Sequence, residues 1–287
     1  MSARRRPRTA GPAAFLAPAA VVLGIVTVYP IGYVLWLSLQ RYSLIAEAPE
    51  FIGLANFARL AGDSRFWNAL GNTVYFTLVS VALELALGLA IALVLARAFA
   101  GAGALRAVVL LPWAIPTVVA ARMWEWMYNG DFGVINYLLG TGINWLGSPA
   151  WAIHAAIVMD VWKATPFVAL LLLAGRLAIP PALYQAARVD GAGAWRIFRH
   201  VTLPLLAPLI LVVLIFRTID AFRVFDAIYV LTGGGPADTT ETLSIYAYKL
   251  LFQTLEFGYG STVAVAVFAS VAVITGVYVW LLRRSLA

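Results

Sequence analysis

Q-A-A-R-V-D-G-A-G-A-W-R-I-F-R-H-V-T-L-P, residues Gln185 to Pro204, is a polar, basic stretch set between two long apolar segments. Gln185 to Val189 is expected to form a brief helix. Gly191 and Gly193 permit a turn, because glycine reaches backbone angles that other residues adopt only at a cost. Trp195 to His200 then forms a second helix. That second piece carries Trp195, Ile197 and Phe198 beside Arg196, Arg199 and His200, an apolar wedge flanked by positive charge. Such a wedge suits a groove on another protein, so the stretch reads as the part of the chain that meets a partner.

The segments on either side decide the class. Of 287 residues, 63% are hydrophobic and 11% charged, and the mean hydropathy is +0.89. A single soluble core cannot hide that much apolar surface, so the chain is expected to be an all-α integral membrane protein. The net charge of +7 comes from Arg residues gathered at the ends of apolar spans. That is the mark of membrane topology and not of a nucleic-acid footprint. There is no Cys, and His154 and His200 are the only imidazoles, so disulfides, thiolate sites and a structural metal are not expected. Arg4, Arg5, Arg6 and Arg8 precede an uncharged run of 32 residues, Thr9 to Gln40. The run is too long for a cleaved signal and reads as a retained first span.

Six segments approach the roughly 20 apolar residues that a spanning helix needs: 15–39, 69–97, 105–128, 151–175, 205–230 and 261–282. Residues 1–14 form a basic N-terminal segment, and 15–287 a six-helix domain whose partner-facing segment is 182–204. Twelve basic residues lie at the N-terminus, at Arg97 and Arg106, at Arg176, Arg188, Arg196 and Arg199, and at Arg283 and Arg284. The opposite side has four, Arg41, Arg59, Arg65 and Lys249. Both termini are therefore expected in the cytoplasm. On the outer side lie F-I-G-L-A-N-F (Phe51 to Phe57) and R-F-W-N-A-L-G-N-T (Arg65 to Thr73), whose aromatics serve either as interfacial anchors or in binding.

Several polar features fall within the spans. Glu84 stands alone in the second, either functional or hydrogen-bonded to a neighbouring helix. Pro112 and Pro116 interrupt the third, freeing carbonyls and bending it. Four opposite-sign pairs are three residues apart: Arg122 with Glu125, Asp160 with Lys163, Arg217 with Asp220, and Arg223 with Asp226. Spacing of this kind puts partners on one helix face, and pairing is the least that burial of charge demands, at about 3 kcal/mol per unpaired group on insertion scales. Arg122 and Glu125 fall near the outer surface, whereas Asp160, Lys163, Arg217 and Asp220 fall near mid-membrane. With Trp162, Phe222, Phe225 and Tyr229 they make either a cavity for a neutral polyhydroxylated solute or a set of structural ion pairs. After the fifth span, L-T-G-G-G-P (Leu231 to Pro236) reads as an adaptable outer loop able to enter a partner's cleft, or as a helix terminator.

The partner-facing segment also carries a resemblance. Gln185-Ala186-Ala187, Gly191 and Val201-Thr202-Leu203-Pro204 are similar to the E-A-A-x3-G-x9-I-x-L-P signature of permease subunits of binding-protein-dependent ABC importers, with Gln185 for Glu and Val201 for Ile. Gln keeps a hydrogen-bonding amide but not the charge. W-K-A-T-P-F (Trp162 to Phe167), the G-L-x-N-[FY] outer pattern and F-D-A-I-Y-V-L-T-G-G-G-P (Phe225 to Pro236) resemble the sugar-importing branch. Together with R-T-I-D-A-F-R-V-F-D (Arg217 to Asp226) they resemble above all its maltose and trehalose members. The resemblance implies a type I importer permease fold in a prokaryotic inner membrane. It implies that Gln185, Ala186, Ala187, Asp190, Gly191, Trp195, Phe198 and Arg199 belong to a coupling helix docked on a cytoplasmic ATPase, present in two copies. It further implies that Gly233, Gly234, Gly235 and Pro236 face an extracellular or lipid-anchored sugar-binding protein, and that a second, different permease completes the core. Arg223, Asp226 and Tyr229 join Asp160, Trp162, Lys163, Arg217, Asp220 and Phe222 as candidates for the solute path.

The chain itself holds no ATP site: a phosphate loop needs Gly-Lys-[Ser/Thr], and the only lysines follow Trp162 and Tyr248. ATP and Mg are therefore expected on a partner subunit, with no cofactor in this chain. No nucleophile with its base is evident, which argues against a membrane enzyme. The rival is a secondary transporter in which the paired charges relay ions; the coupling segment, which a self-contained transporter does not need, argues against it.

Overall fold

The computed structural model describes residues 12–45, 48–97 and 100–286. The basic positions Arg4, Arg5, Arg6 and Arg8 lie outside the described residues, as do the side chains of Arg283 and Arg284, and of the segment 1–14 only the backbone of residues 12–14 is described. Helices α1 (Pro12–Leu23) and α2 (Tyr29–Ser38), joined by a wide turn at Gly24–Val28, make the first apolar run. A two-stranded ribbon, β1 (Gln40–Arg41) antiparallel to β2 (Glu50–Phe51), leads to α3 (Ala55–Ala61). The long α4 (Ser64–Leu95) is followed by α5 (Ala102–Ala114), α6 (Thr117–Met127), α7 (Val134–Leu139) and α8 (Ala152–Ala178). Then come α9 (Pro181–Val189), α10 (Ala194–Ile197), α11 (Leu203–Phe222), α12 (Asp226–Leu231), α13 (Leu243–Tyr248) and α14 (Phe257–Leu286). Among the described residues five helices are long and apolar enough to cross a membrane, or six if the bent pair α5–α6 is one span.

Two compact units are formed. In the first, residues up to Gly62 and Ala247–Val265, buried Asn56 donates to Ser38 O (3.0 Å) and Gln40 O (2.9 Å). Those carbonyls lie where α2 ends and lack a helical partner. The asparagine of the F-I-G-L-A-N-F pattern is thus the brace of the loop. Arg59 lies 3.8 Å over the Tyr259 ring and pairs with Glu256 at 2.8 Å.

In the second unit, Asp63–Tyr246 and Ala266–Ala287, α4 begins on Asp63, whose carboxylate accepts the Arg65 and Phe66 amides at 2.9 and 3.3 Å. This is an N-cap, which accounts for the start of the helix. Helices α4 and α8 pack face to face. Gly88 makes the approach possible, since a Cβ there would stand 2.6 Å from Val168 Cγ1. One face of α4 buries Thr73, Thr77, Ser80, Glu84 and Gly88, at helical spacing, and Thr73 and Thr77 satisfy their hydroxyls on the carbonyls of Ala69 and Thr73 at 2.7 Å. Phe76, Met159 and Ile228 are fully buried in the core between α4, α8 and α12. The buried Tyr128 hydroxyl donates to Ala155 O at 3.0 Å.

Two expected spans differ. The third is broken and not merely kinked: α5 and α6 meet at 91°. The break falls at Ile115–Pro116, whereas Pro112 sits inside α5. Proline has no N–H and disfavours helical angles in the residue before it, and Ile115 is accordingly extended. The fifth span begins earlier and ends at Phe222, giving 194–222 in place of 205–230. Arg223 closes α11 and Asp226 opens α12, so the two do not share one helix face.

Candidate functional site

The charges expected near mid-membrane gather around Arg217. Its Nε donates to Glu84 Oε2 at 2.6 Å and its Nη2 to Glu84 Oε1 at 2.8 Å, a two-pronged pair across α4 and α11. Nη2 also reaches Asp160 Oδ2 of α8 at 3.2 Å, and Nη1 reaches Asp220 Oδ2 at 2.5 Å. Glu84 is 0% exposed and Arg217 6%. A guanidinium suits such a place because its planar fork engages several carboxylates at once and it never deprotonates. Glu84, alone in its own span, is therefore the bonded partner of a neighbouring helix.

Asp160 and Lys163 do not pair with each other, contrary to expectation. Asp160 turns to Arg217, and Lys163 Nζ donates to Ile115 O at 2.6 Å and Trp113 O at 3.4 Å. The reason is the broken span: ending α5 at Ala114, ahead of Pro116, frees carbonyls that the lysine reaches, while the guanidinium draws the aspartate. Arg223 likewise donates to Ile219 O at 3.3 Å, and no ion pair joins it to Asp226 among the described residues. Arg122 and Glu125 do pair, at 2.6 Å, on an exposed surface.

A cavity of about 280 Å³ opens beside this cluster. Asp160, Lys163, Arg217, Asp220, Arg223, Phe225 and Asp226 line it, together with Trp113 and Thr117 of the broken span. The aromatic wall differs from the one expected. Trp162 packs edge-on to Trp124 in the core, 5.6 Å between rings, and Phe222 is buried at 3% exposure. Tyr229 stacks on Phe225 at 5.2 Å but does not line the cavity. Trp113 was missed by sequence reasoning; the freed carbonyls of L-P-W-A-I-P pointed to this region but not to the indole.

The segment Gln185 to Pro204 folds as two short helices. Tyr184 anchors it inwards, meeting Thr202 Oγ1 at 3.3 Å beneath the Arg176 guanidinium, 3.8 Å above its ring. Gly191 has φ +73°, a left-handed turn that favours glycine, and α10 continues through a wide turn at Phe198–Thr202 into α11. Gln185, Ala186, Asp190, Trp195 and Arg199 are exposed and Ala187 and Phe198 half-buried. Trp195, 70% exposed, lies tilted against Phe198, 5.4 Å between ring centroids. A groove of about 710 Å³ lies between this segment and the end of α4.

The loop after α12 is braced by side chains from α4 and by its own threonines. Arg65 grips fully buried Glu241 at 2.6 and 2.8 Å, and Asn68 and Asn72 each donate to Asp238 O at 3.0 Å. Thr240 bonds both Thr232 Oγ1 and Gly235 O at 2.7 Å. Gly233, Gly235 and Pro236 remain at or near the surface, with Gly234 buried.

Residues 84–286 match the family described as binding-protein-dependent transport system inner membrane component. The trehalose/maltose transport system permease protein MalF of Thermococcus litoralis is 45% identical over 91% of this chain and 90% of its own length. The sulfoquinovosyl glycerol transport system permease protein SmoG of Agrobacterium fabrum is 42% identical over 93% of this chain and 89% of its own. Among solved structures, a chain of a bacterial alginate ABC transporter, in complex with an alginate pentasaccharide-bound periplasmic protein, superposes with a TM-score of 0.83. It is 25% identical and covers 94% of this chain and 93% of its own.

Proposed function

The chain belongs to the family of binding-protein-dependent transport system inner membrane components, and from that premise we propose that it is the permease through which an ATP-driven importer passes a neutral carbohydrate, a disaccharide of the trehalose or maltose kind. The observation that carries the sugar is the chemistry of the cavity. Three carboxylates engage every nitrogen of Arg217 and offset its charge. Lone pairs left on Asp160, Asp220 and Asp226 accept hydroxyl protons, and Trp113 and Phe225 supply apolar faces. A site with compensated charge, many acceptors and aromatic walls suits a polyhydroxylated neutral ligand and disfavours an anion. The Thermococcus relative is a trehalose/maltose transport system permease protein.

ATP with Mg belongs, in this reading, to two copies of a separate cytoplasmic ATPase that grips the segment from Gln185 to Arg199 through the exposed Trp195. A second permease completes the conduit. The binding protein meets the outer loop at Gly233 to Pro236, both termini are cytoplasmic, and the membrane is the inner membrane of a prokaryote. ATP closes the ATPase pair, the coupling segment moves with it, and the cavity changes sides, a two-state switch biased by nucleotide and loaded binding protein. An ion-coupled secondary transporter is set aside, since family membership assigns the chain to a binding-protein-dependent system.

The test is the ATPase activity of the complex purified through this chain in lipid nanodiscs, with candidate binding proteins and a panel of disaccharides. Stimulation by one loaded binding protein is expected and names the sugar. An ATPase-free chain that moves solute in liposomes unaided sinks the proposal.

A further inference from the structure

The broken span poses a problem that Lys163 answers. Pro116 offers no N–H to the turn before it, and α5 stops at Ala114, so the last carbonyls of α5 have no helical partner. The Lys163 ammonium donates to one of them, Trp113 O at 3.4 Å, and to the carbonyl of the extended residue just past the helix end, Ile115 O at 2.6 Å. A cation at the C-terminal end of a helix also meets the negative end of its dipole. No carboxylate lies within ion-pairing distance of Lys163 among the described residues. Trp113, whose carbonyl is held, stacks its indole on Phe167, 5.6 Å between centroids and 24° between planes. Phe167 lies four residues beyond Lys163 on α8, so one helix grips Trp113 by backbone and ring together. The indole is nonetheless 49% exposed and lines the cavity.

We propose that Lys163 is a positioning residue: by clamping the carbonyl end of α5 at the break it fixes Trp113 in the cavity wall, where the indole is the stacking face that selects a pyranose ring. The lysine donors are committed to the backbone while Asp160 and Asp220 balance its charge from beyond ion-pairing distance, and its influence on the solute passes through Trp113. This rests on the carbohydrate reading above for the identity of the ligand, but the clamp is a matter of this chain alone.

The chain has no Cys, so spin labels placed by Val108→Cys and Val119→Cys, both exposed positions flanking the 91° bend, report the break directly in the assembled complex in nanodiscs. One narrow distance distribution is expected with Lys163 present. Lys163→Met broadens it, and Lys163→Arg, which keeps the charge and donors, restores it. In transport, Lys163→Met and Trp113→Ala each raise the half-saturating concentration of loaded binding protein about tenfold. The double variant is no worse than either single one. An unchanged distribution in Lys163→Met overturns the clamp. Effects that multiply in the double variant overturn the route through Trp113 and place Lys163 on the solute itself. If no sugar stimulates the unaltered complex, the carbohydrate reading fails while the spin-label distances still decide the clamp.

Discussion

Arg217 is the residue on which the membrane interior balances. Its donors engage Glu84, Asp160 and Asp220, carboxylates from three helices. Those partners are not equivalent, for the Glu84 side chain is fully buried and the Asp220 side chain 65% exposed. Arg217→Met leaves a buried carboxylate without its counter-charge, and should cost about 3–5 kcal/mol. Asp220→Asn removes a screened contact worth about 1 kcal/mol or less. Thermal unfolding of the purified complex should therefore rank Arg217→Met far below Asp220→Asn, and equal midpoints for the two would count against the network. The ingredients of this site were legible in sequence as charges inside apolar runs. Their partnering was only partly so: Arg217 and Asp220 do pair as the three-residue spacing implies, but Asp160 with Lys163 and Arg223 with Asp226 do not. Spacing along a helix sees neighbours on one face, and has no view of the guanidinium or the freed carbonyl that a second helix presents.

Among elements, the short helices α9 and α10 and the braced outer loop show how local chemistry is fixed. The turn at Gly191 and the wedge of Trp195 and Phe198 were readable because glycine angles and clustered aromatics are local signals. Since Trp195 is 70% exposed, Trp195→Asp should leave the unfolding midpoint of the complex nearly unchanged. It should lower sugar-stimulated ATP hydrolysis by about tenfold or more, the scale of an interface tryptophan. Stimulated hydrolysis at the unaltered rate would remove this segment from the docking surface. The outer loop taught the opposite lesson. Its glycines read as freedom, yet Glu241 lies buried under Arg65, and Asn68 and Asn72 hold the carbonyl of Asp238. Those partners are separated by 166 to 176 residues, a distance over which composition carries no signal.

At the scale of the whole molecule, the distribution of basic residues carries an expectation about topology. Basic residues concentrate in the segments before α1, between α4 and α5, between α8 and α11, and at the end of α14, and charge bias of that kind sets orientation during insertion. Single cysteines at Val189, 88% exposed, and Tyr137, 85% exposed, lie on either side of α8. In the cysteine-free chain Val189→Cys should react with an impermeant maleimide only from the cytoplasmic face and Tyr137→Cys only from the outer face; the reverse pattern inverts the topology. By itself the sequence determined the membrane class, the position of the spans to within a few residues in most cases, and the family, because hydrophobicity, charge bias and short glycine-bearing motifs act over a few turns of chain. Only the tertiary structure decided that the third span breaks at Pro116, that Lys163 commits its donors to that break, that Glu84 belongs to Arg217, and that Trp113 rather than Trp162 or Phe222 faces the cavity. Each of these depends on the rotation of one helix against another, which is set by packing such as the approach of α4 and α8 at Gly88 and leaves no periodic trace in either helix alone.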